Sequence, residues 1–278
     1  MTLKQWIKSP KGYVAIAMVL YWLTASYLLH DLGGLINGLL AVGVGLIVDV
    51  VCCLVERRKK IFPDGTLITG LIIALILGTT TAWYVVAATV TMAILSKHLF
   101  TYRKKAVFNP AAFGLMLSIP IFATRQSWWG AFGDLPVWTV VLLFIGGYVI
   151  TSRINKFAQV FAFFGTSFGL LLLMGLLHIE NAGNAFDGLR SPFINAMLFF
   201  GFFMLTDPPT SPAKPKDQVV FGILVALVGT TVYEQFGGLM YLFVGLMAGN
   251  LYHWAKARLS SKAPKQNGSR LSRVNKVS

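Results

Sequence analysis

Long runs of apolar residues alternate with short polar gaps along the chain, and this pattern predicts its secondary structure. A helix needs about 20 apolar residues to cross the hydrocarbon core of a membrane. The runs are continuously apolar rather than alternating with polar residues, which favours helices over a β-barrel. Ten segments are predicted as membrane helices: residues 13–30, 35–55, 66–78, 82–96, 107–122, 136–151, 157–178, 191–206, 218–233 and 238–255.

Basic residues occupy every second gap between these segments. With the N-terminus placed in the cytoplasm, 22 of the 24 Lys and Arg residues lie on the cytoplasmic side. Only Arg125 and Arg190 fall on the outer side. Because cytoplasmic loops collect Lys and Arg, we predict a multi-pass protein of the cytoplasmic (inner) membrane, surrounded by membrane lipid, with both termini in the cytoplasm.

The composition excludes a soluble fold. Hydrophobic residues make up 56% of the chain and charged residues 12%, against about 25% charged residues in a soluble domain. The net charge of +14 does not predict a nucleic-acid partner, because the basic residues lie in short gaps and not on one soluble face. We predict one transmembrane domain, residues 1–255, with halves 13–122 and 136–255, followed by a basic, disordered cytoplasmic tail, residues 256–278.

The ten segments divide into two halves of five, and an odd number of helices gives the halves opposite orientations in the membrane. The third and eighth segments are both short, and each is accompanied by an Asp-Gly pair, Asp64-Gly65 and Asp187-Gly188. Short segments at corresponding positions of two inverted repeats point to a binding site near the membrane midplane. The predicted fold is therefore an all-α membrane domain with two inverted five-helix repeats.

Three polar patches, residues 62–70, 108–112 and 203–212, interrupt the apolar background at the ends of segments three, five and eight. An unpaired polar group is costly in lipid, so these residues either bind a ligand or satisfy the backbone. Helix capping is the alternative for Asp64 and Asn109, and helix termination is the alternative for the segment before Pro208. The candidate binding residues are Asp64, Gly65, Thr66, Thr69, Gly70, Asn109, Pro110, Thr206 and Asp207.

Asp49 is the acidic residue that lies well inside a predicted span, and intramembrane carboxylates are functional candidates by default. It is predicted either to line a cation or proton path or to form a salt bridge with the basic residues 57–60. Lys97 is predicted as an anchor at the membrane surface. His98 by itself and the adjacent Cys52 and Cys53 do not have the spacing of a metal site, so no metal is predicted.

The outer loop, residues 123–136, contains Trp128 and Trp129. They are predicted to lie in the aromatic belt at the membrane interface, and stacking on a planar ligand is the alternative. The chain has no phosphate-binding glycine loop and no Ser/His/Asp arrangement. Hydrolytic and nucleotide-driven chemistry therefore has no support in the sequence.

The polar patches also carry a family resemblance. The stretches Asp64-Gly-Thr-Leu-Ile-Thr-Gly-Leu-Ile-Ile-Ala-Leu75, Lys97-His-Leu-Phe100, Phe108-Asn-Pro-Ala111 and Phe202-Phe-Met-Leu-Thr-Asp-Pro208 resemble four motifs of one family in the same order. This family contains the membrane B subunit of the sodium-pumping NADH:quinone reductase and the D subunit of the Rnf electron-transport complex. The resemblance covers most of residues 35–255.

The resemblance implies a fold and a cofactor. Members of this family have ten transmembrane helices in two inverted repeats, similar to urea channels. They bind flavin noncovalently within the membrane domain and, in many members, also as FMN esterified to a threonine. That threonine belongs to an outer Ser/Thr-Gly-Ala-Thr motif, which is absent from residues 123–135, where Thr124 stands alone. Covalent FMN is therefore not expected here.

The sequence as a whole predicts a membrane subunit of a flavin-dependent redox system. A noncovalent flavin, FMN or riboflavin, would lie among helices three, five and eight, framed by Asp64, Thr69, Asn109 and Asp207. The chain would transfer electrons together with other redox subunits or a flavinylated partner protein and would not be a stand-alone catalyst. The alternatives are a channel or carrier for a small polar solute or a flavin, and a structural anchor for a soluble redox partner.

Overall fold

The computed structural model describes residues 3–58, 64–179 and 184–262, and nearly all of its secondary structure is helical. A short helix α1 (Leu3–Ile7) precedes the helices of the predicted segments. These are α2 (Pro10–Leu29), α3 (Leu32–Val55), α4 (Asp64–Ile76), α5 (Trp83–Leu99), α6 (Pro110–Phe122), α7 (Val140–Ile154), α8 (Phe157–Leu176), α9 (Phe193–Phe199), α10 (Pro215–Phe236) and α11 (Met240–Lys262). Helix α9 continues as a π-helix, Phe200–Met204.

Each predicted segment overlaps one of these helices, and the all-α membrane fold is confirmed. Helices α2, α3, α8 and α10 and the stretch Val137–Ile154 are long and apolar enough to cross a membrane. Helix α4 and the stretch Phe193–Met204 are shorter. At 1.5 Å per residue each is about 20 Å long, which is less than the roughly 30 Å of the hydrocarbon core. Both therefore end within the depth of the bundle.

Local sequence signals determine where several helices begin. The Ser9 hydroxyl accepts a hydrogen bond from the Gly12 amide at 3.2 Å, and Pro10 is the first residue of α2. The Asp31 carboxylate accepts one from the Gly33 amide at 2.7 Å at the start of α3. These side chains satisfy backbone amides that have no partner within the helix.

The helices pack through small residues. Helix α3 packs against α4 and α5, α5 against α6, α8 against α10, and α10 against α11. Contacts of α6 with α11 and of α2 with α7 join helices that are far apart in the sequence. A Cβ atom added at Gly114 would lie 2.7 Å from the Thr89 carbonyl oxygen, and one added at Gly222 would lie 2.6 Å from that of Gln159. Such close backbone approach is typical of helices that associate in membranes.

A two-stranded hairpin, β1 (Thr101–Tyr102) and β2 (Lys105–Ala106), connects α5 to α6. Its turn residues Arg103 and Lys104 have φ angles of 50° and 63°, as a two-residue turn matching the twist of the strands requires. Lys104 lies in the turn and Lys105 in β2, which packs against α5.

The outer loop corrects one prediction. Trp128 and Trp129 are only 1% and 4% exposed, so they do not lie in the aromatic belt at the membrane interface. The Trp129 Nε1–H group donates to the carbonyl oxygens of Ala74 at 2.8 Å and Leu77 at 2.9 Å. Because α4 ends inside the bundle, its last carbonyl groups need donors there, and the loop provides one.

The C-terminal boundary of the helical domain is a second correction. Helix α11 continues to Lys262, so the predicted start of the disordered tail at residue 256 is wrong. Lys256 pairs with Asp217 of α10 at 2.9 Å, and the Arg258 guanidinium lies over the Trp254 ring. These contacts stabilise the last turns of the helix. Residues 263–278 lie outside the described residues.

Candidate functional site

A cavity of about 550 Å³ lies at one end of the helix bundle. Helices α2, α4 and α6 begin there, and α3, α5, α7 and the π-helical end of α9 finish there. Its apolar wall is formed by the side chains of Val14, Ile68, Ile72, Ile150, Ile154 and Phe203. The volume is within the range of about 300–1,000 Å³ that is typical of cofactor and ligand sites.

The structure brings the three polar patches together at this cavity. The lining includes Gly65 and Thr69 of α4, Asn109 and Pro110 at the start of α6, and Thr206 and Asp207 after α9. The patches are far apart in sequence and meet because their helix ends lie at the same end of the bundle. Asp49 of α3 also lines the cavity. The side chain of Asp64 lies outside the described residues.

Two residues predicted to contact a cofactor do not line the cavity. The buried Thr66 hydroxyl donates to Asp49 Oδ2 at 2.7 Å and supports that carboxylate. A Cβ atom added at Gly70 would lie 3.0 Å from the Ala41 carbonyl oxygen. Gly70 therefore serves the close packing of α4 on α3 and not contact with a ligand.

Asn109 forms part of the frame of the cavity. Its Oδ1 atom accepts from the Ala112 amide at 3.1 Å, and its Nδ2 atom donates to the Met204 carbonyl oxygen at 3.2 Å. Its backbone N–H donates to Asn250 Oδ1 at 2.9 Å, and Asn250 Nδ2 donates to the Thr210 carbonyl oxygen at 3.0 Å. Sequence analysis missed Asn250, although a buried amide within the apolar run 238–255 was a usable signal.

The loop after α9 depends on a buried cation that sequence analysis also missed. Lys156, between α7 and α8, donates from Nζ to Ser211 Oγ at 2.9 Å and to the Pro212 carbonyl oxygen. Burial lowers the pKa of Lys156 to about 8, although the charge of Asp207 opposes the change. Sequence analysis counted Lys156 only as one of the cytoplasmic basic residues, because nothing local marks it as buried.

Asp207 lies at the cavity wall and is partly exposed. Its Oδ2 atom accepts a hydrogen bond from the Thr210 hydroxyl at 2.9 Å. Burial raises the pKa of Asp207 to about 6, in spite of that bond and the charges of Lys11 and Lys156. The residue therefore changes charge near neutral pH beside the cavity.

Asp49 forms a salt bridge, but with partners other than the predicted residues 57–60. Its Oδ1 atom lies 2.9 Å from Lys97 Nζ and 2.8 Å from His98 Nε2, both in the last turn of α5. Among residues 57–60, Lys59 and Lys60 lie outside the described residues, and Arg58 pairs with Glu56. Helices α3 and α5 pack side by side, which places Lys97 level with Asp49. Lys97 is therefore more than a surface anchor.

Basic side chains surround the polar part of the cavity. Lys11, Arg58, Lys97, Lys104 and Lys105 all contribute to its lining. They come from four different helix ends or loops, all of which the charge pattern assigned to the cytoplasm. Their summed charge favours an anionic or strongly polar ligand at this end of the cavity.

Apolar helices, several of them shorter than a full membrane span, surround a cavity with a basic rim. This architecture defines a multi-pass integral membrane protein. The model of the NQR2, RnfD, RnfE family matches residues 3–136 and 126–241, and the chain belongs to this family. The resemblance drawn from the four sequence motifs is thereby confirmed.

A curated relative supports the same assignment over a short stretch. Over 66 residues the chain is 38% identical to the D subunit of the ion-translocating oxidoreductase complex from Actinobacillus succinogenes. The match covers 24% of this chain and 18% of that protein.

Proposed function

We propose that this protein is the membrane subunit of an electron-transport complex and that its cavity binds a flavin without a covalent bond. Family membership supports the first part, together with the Actinobacillus succinogenes relative, whose name describes an ion-translocating oxidoreductase complex. The observation that carries the second part is the convergence of the three polar patches on one cavity of about 550 Å³.

The lining of the cavity fits the chemistry of a flavin. Isoleucines of α4 and α7 offer apolar contact to the ring system, and Phe203 offers an aromatic ring. Thr69 and Asp207 offer acceptors to the polar edge of the flavin. The Thr69 hydroxyl donates to the Gly65 carbonyl oxygen at 2.9 Å, so its oxygen remains available to accept from a ring N–H. Lys104 and Lys105 would bind a phosphate or the ribityl hydroxyls.

A bound flavin would supply the electron chemistry, while the chain would supply position, electrostatics and exclusion of water. The basic rim would stabilise the negative charge that reduction adds to the ring system. The electron donor and acceptor would be other redox subunits or a flavinylated partner protein. The basic loops offer acidic partners a docking surface.

We also propose the inverted repeat, and a pair of corresponding hydrogen bonds supports it. Asn37, near the start of α3, donates to the carbonyl oxygens of Thr79 at 3.0 Å and Thr81 at 3.2 Å, just past the end of α4. Gln159, near the start of α8, donates to the Leu205 carbonyl oxygen at 2.7 Å, just past the end of α9. Each amide donates to carbonyl oxygens in the segment that follows the short helix of its own half.

The test is the visible absorption spectrum of the detergent-purified protein, repeated on the supernatant after acid precipitation. We expect flavin bands that leave with the supernatant, since no covalent bond holds the flavin. Ile68→Trp, which fills the cavity, should abolish the bands, whereas Leu172→Trp on the exposed surface of α8 should retain them.

A finer comparison uses two threonines with the same local bond. Thr69 and Thr91 each donate to the carbonyl oxygen four residues earlier, but only Thr69 lines the cavity. Thr69→Val should weaken flavin binding about fivefold, the loss of one hydrogen bond of about 1 kcal/mol, and Thr91→Val should not. A folded, colourless wild-type protein would reject the flavin proposal and favour a solute pathway.

A further inference from the structure

We propose that Asp49, Cys53 and His98 form a binding site for a zinc-type divalent metal ion at the wall of the cavity. One donor atom from each of these three residues lies within 4.8 Å of the other two. In a tetrahedral zinc site with bonds of about 2.0–2.3 Å, neighbouring donor atoms lie about 3.3–3.8 Å apart. Small side-chain rotations would therefore bring all three into coordination.

The positions on the helices support a shared site. Asp49 and Cys53 are one turn apart on α3 and face the same side, because residues four apart lie above one another on a helix. His98 enters from the last turn of α5. Asp49 and Cys53 are buried and the His98 side chain is nearly so, so water competes weakly for the donors. A carboxylate, a thiolate and an imidazole form a ligand set that suits zinc.

The surroundings of these residues resemble the outer shell of a metal site. His98 Nδ1 lies 2.8 Å from Glu56 Oε1, which fixes the ring orientation and leaves Nε2 directed at Asp49. Metal-binding histidines commonly donate their other ring N–H to a carboxylate in this way. The Thr66 hydroxyl holds Asp49 Oδ2 at 2.7 Å and leaves Oδ1 for a cation. Metal binding at these residues does not require a bound flavin.

A metal ion must break the hydrogen bond between His98 Nε2 and Asp49 Oδ1, with release of its proton, and must also displace Lys97. The Lys97 ammonium lies 2.9 Å from Asp49 Oδ1, in the place of a cation, but its side chain is 25% exposed and can turn toward water. Asp49, Cys53 and Lys97 all line the cavity. Departure of Lys97 would therefore open a fourth coordination position to the cavity, where water or a bound ligand could complete the tetrahedron.

The test is a titration of the purified full-length protein, stripped with chelator, first with Co²⁺ as a spectroscopic probe and then with Zn²⁺. We expect one equivalent of Co²⁺ with a sulfur-to-metal charge-transfer band in the near ultraviolet, which Zn²⁺ then removes. Cys53→Ser should abolish the band and weaken Zn²⁺ binding at least 100-fold. Cys52→Ser is the matched control and should keep both, since Cys52 is outside the cluster.

Two further variants test the metal site if Cys53→Ser does not fold. Glu56→Gln should weaken Zn²⁺ binding about 10- to 100-fold, the usual effect of losing an outer-shell partner. Lys97→Met should tighten Zn²⁺ binding, because it removes the competing cation. Co²⁺ binding without a thiolate band, equal behaviour of the two serine variants, or unchanged affinity in Lys97→Met would each overturn the proposal.

Discussion

Burial acts in opposite directions on the two charged residues beside the loop that follows α9. It raises the pKa of Asp207 to about 6 and lowers that of Lys156 to about 8. In each case the fold disfavours the charged form. Each residue nevertheless makes a hydrogen bond with the loop. Asp207 accepts one from the Thr210 hydroxyl, and Lys156 donates one to the Ser211 hydroxyl.

Asp207 therefore predicts a pH dependence of stability. Its folded pKa lies above the ordinary value of 3.8, so its contribution is fully present below about pH 4 and is lost as the pH rises through about 6. The change is at most about 3 kcal/mol, at 1.36 kcal/mol per pKa unit. Thermal unfolding in detergent between pH 4 and 7 should show this slope, and Asp207→Asn should flatten it. Asp134→Asn, at an exposed carboxylate, is the control and should retain the slope.

At the residue scale the sequence marked polar residues but not their roles. Asn109 was recognisable as a helix cap, because a capping residue and a proline at the first helical position are local signals. Thr66 and Gly70 were grouped with the cofactor residues, yet one bonds Asp49 and the other packs on α3. That distinction depends on which way each residue faces across α4, which needs the neighbouring helices to be known.

At the element scale the short helix α4 depends on the outer loop. Its terminal carbonyl groups lie within the bundle, where water does not reach them, and the loop supplies donors. The backbone amides of Ser127 and Trp128 donate to the Ile76 carbonyl oxygen at 2.8 and 3.1 Å. The Trp129 indole donates to Ala74 and Leu77. The sequence showed two tryptophans in a loop, and the early end of α4 explains why the Trp129 indole N–H is buried.

This arrangement predicts a specific cost for losing the indole donor. Trp129→Phe keeps most of the apolar contact but leaves the Ala74 and Leu77 carbonyl oxygens without that partner. We expect a loss of about 1–3 kcal/mol, the cost of an unsatisfied buried polar group, measured by thermal unfolding in detergent. Trp83→Phe, at a well exposed position, is the matched control. Equal effects of the two substitutions would show that the outer loop does not stabilise the end of α4.

At the scale of the whole molecule, the order and approximate bounds of the helices were predictable, since length and hydropathy determine which segments avoid water. Their pairing was not. Asp49 meets Lys97 and His98 because α3 packs on α5, and no local pattern identifies that neighbour. The three polar patches could be grouped as one site from their motifs, but their shared cavity follows from the alternating direction of the helices.

The alternating direction of the helices predicts which helix termini and loops lie on the same side of the membrane. The cavity joins the starts of α2, α4 and α6 to the ends of α3, α5 and α7, so these termini lie on one side, together with the basic hairpin. With the N-terminus in the cytoplasm, Lys104 faces the cytoplasm and Asp134 faces outward. Both are exposed in the structure, so a thiol at either position is accessible to a reagent in water.

Single cysteines test this orientation directly, because Cys52 and Cys53 are the only native thiols and can both be replaced by serine. In that background, Asp134→Cys should react with a membrane-impermeant maleimide in spheroplasts, whereas Lys104→Cys should react only after the membrane is opened. The reverse labelling pattern would show that the protein has the opposite orientation, with the basic rim of the cavity outside. That result would contradict the rule that Lys and Arg collect in cytoplasmic loops. If both cysteines were labelled from the same side, the hairpin and the outer loop would lie on one side of the membrane. Helix α6, which connects them, would then not cross it.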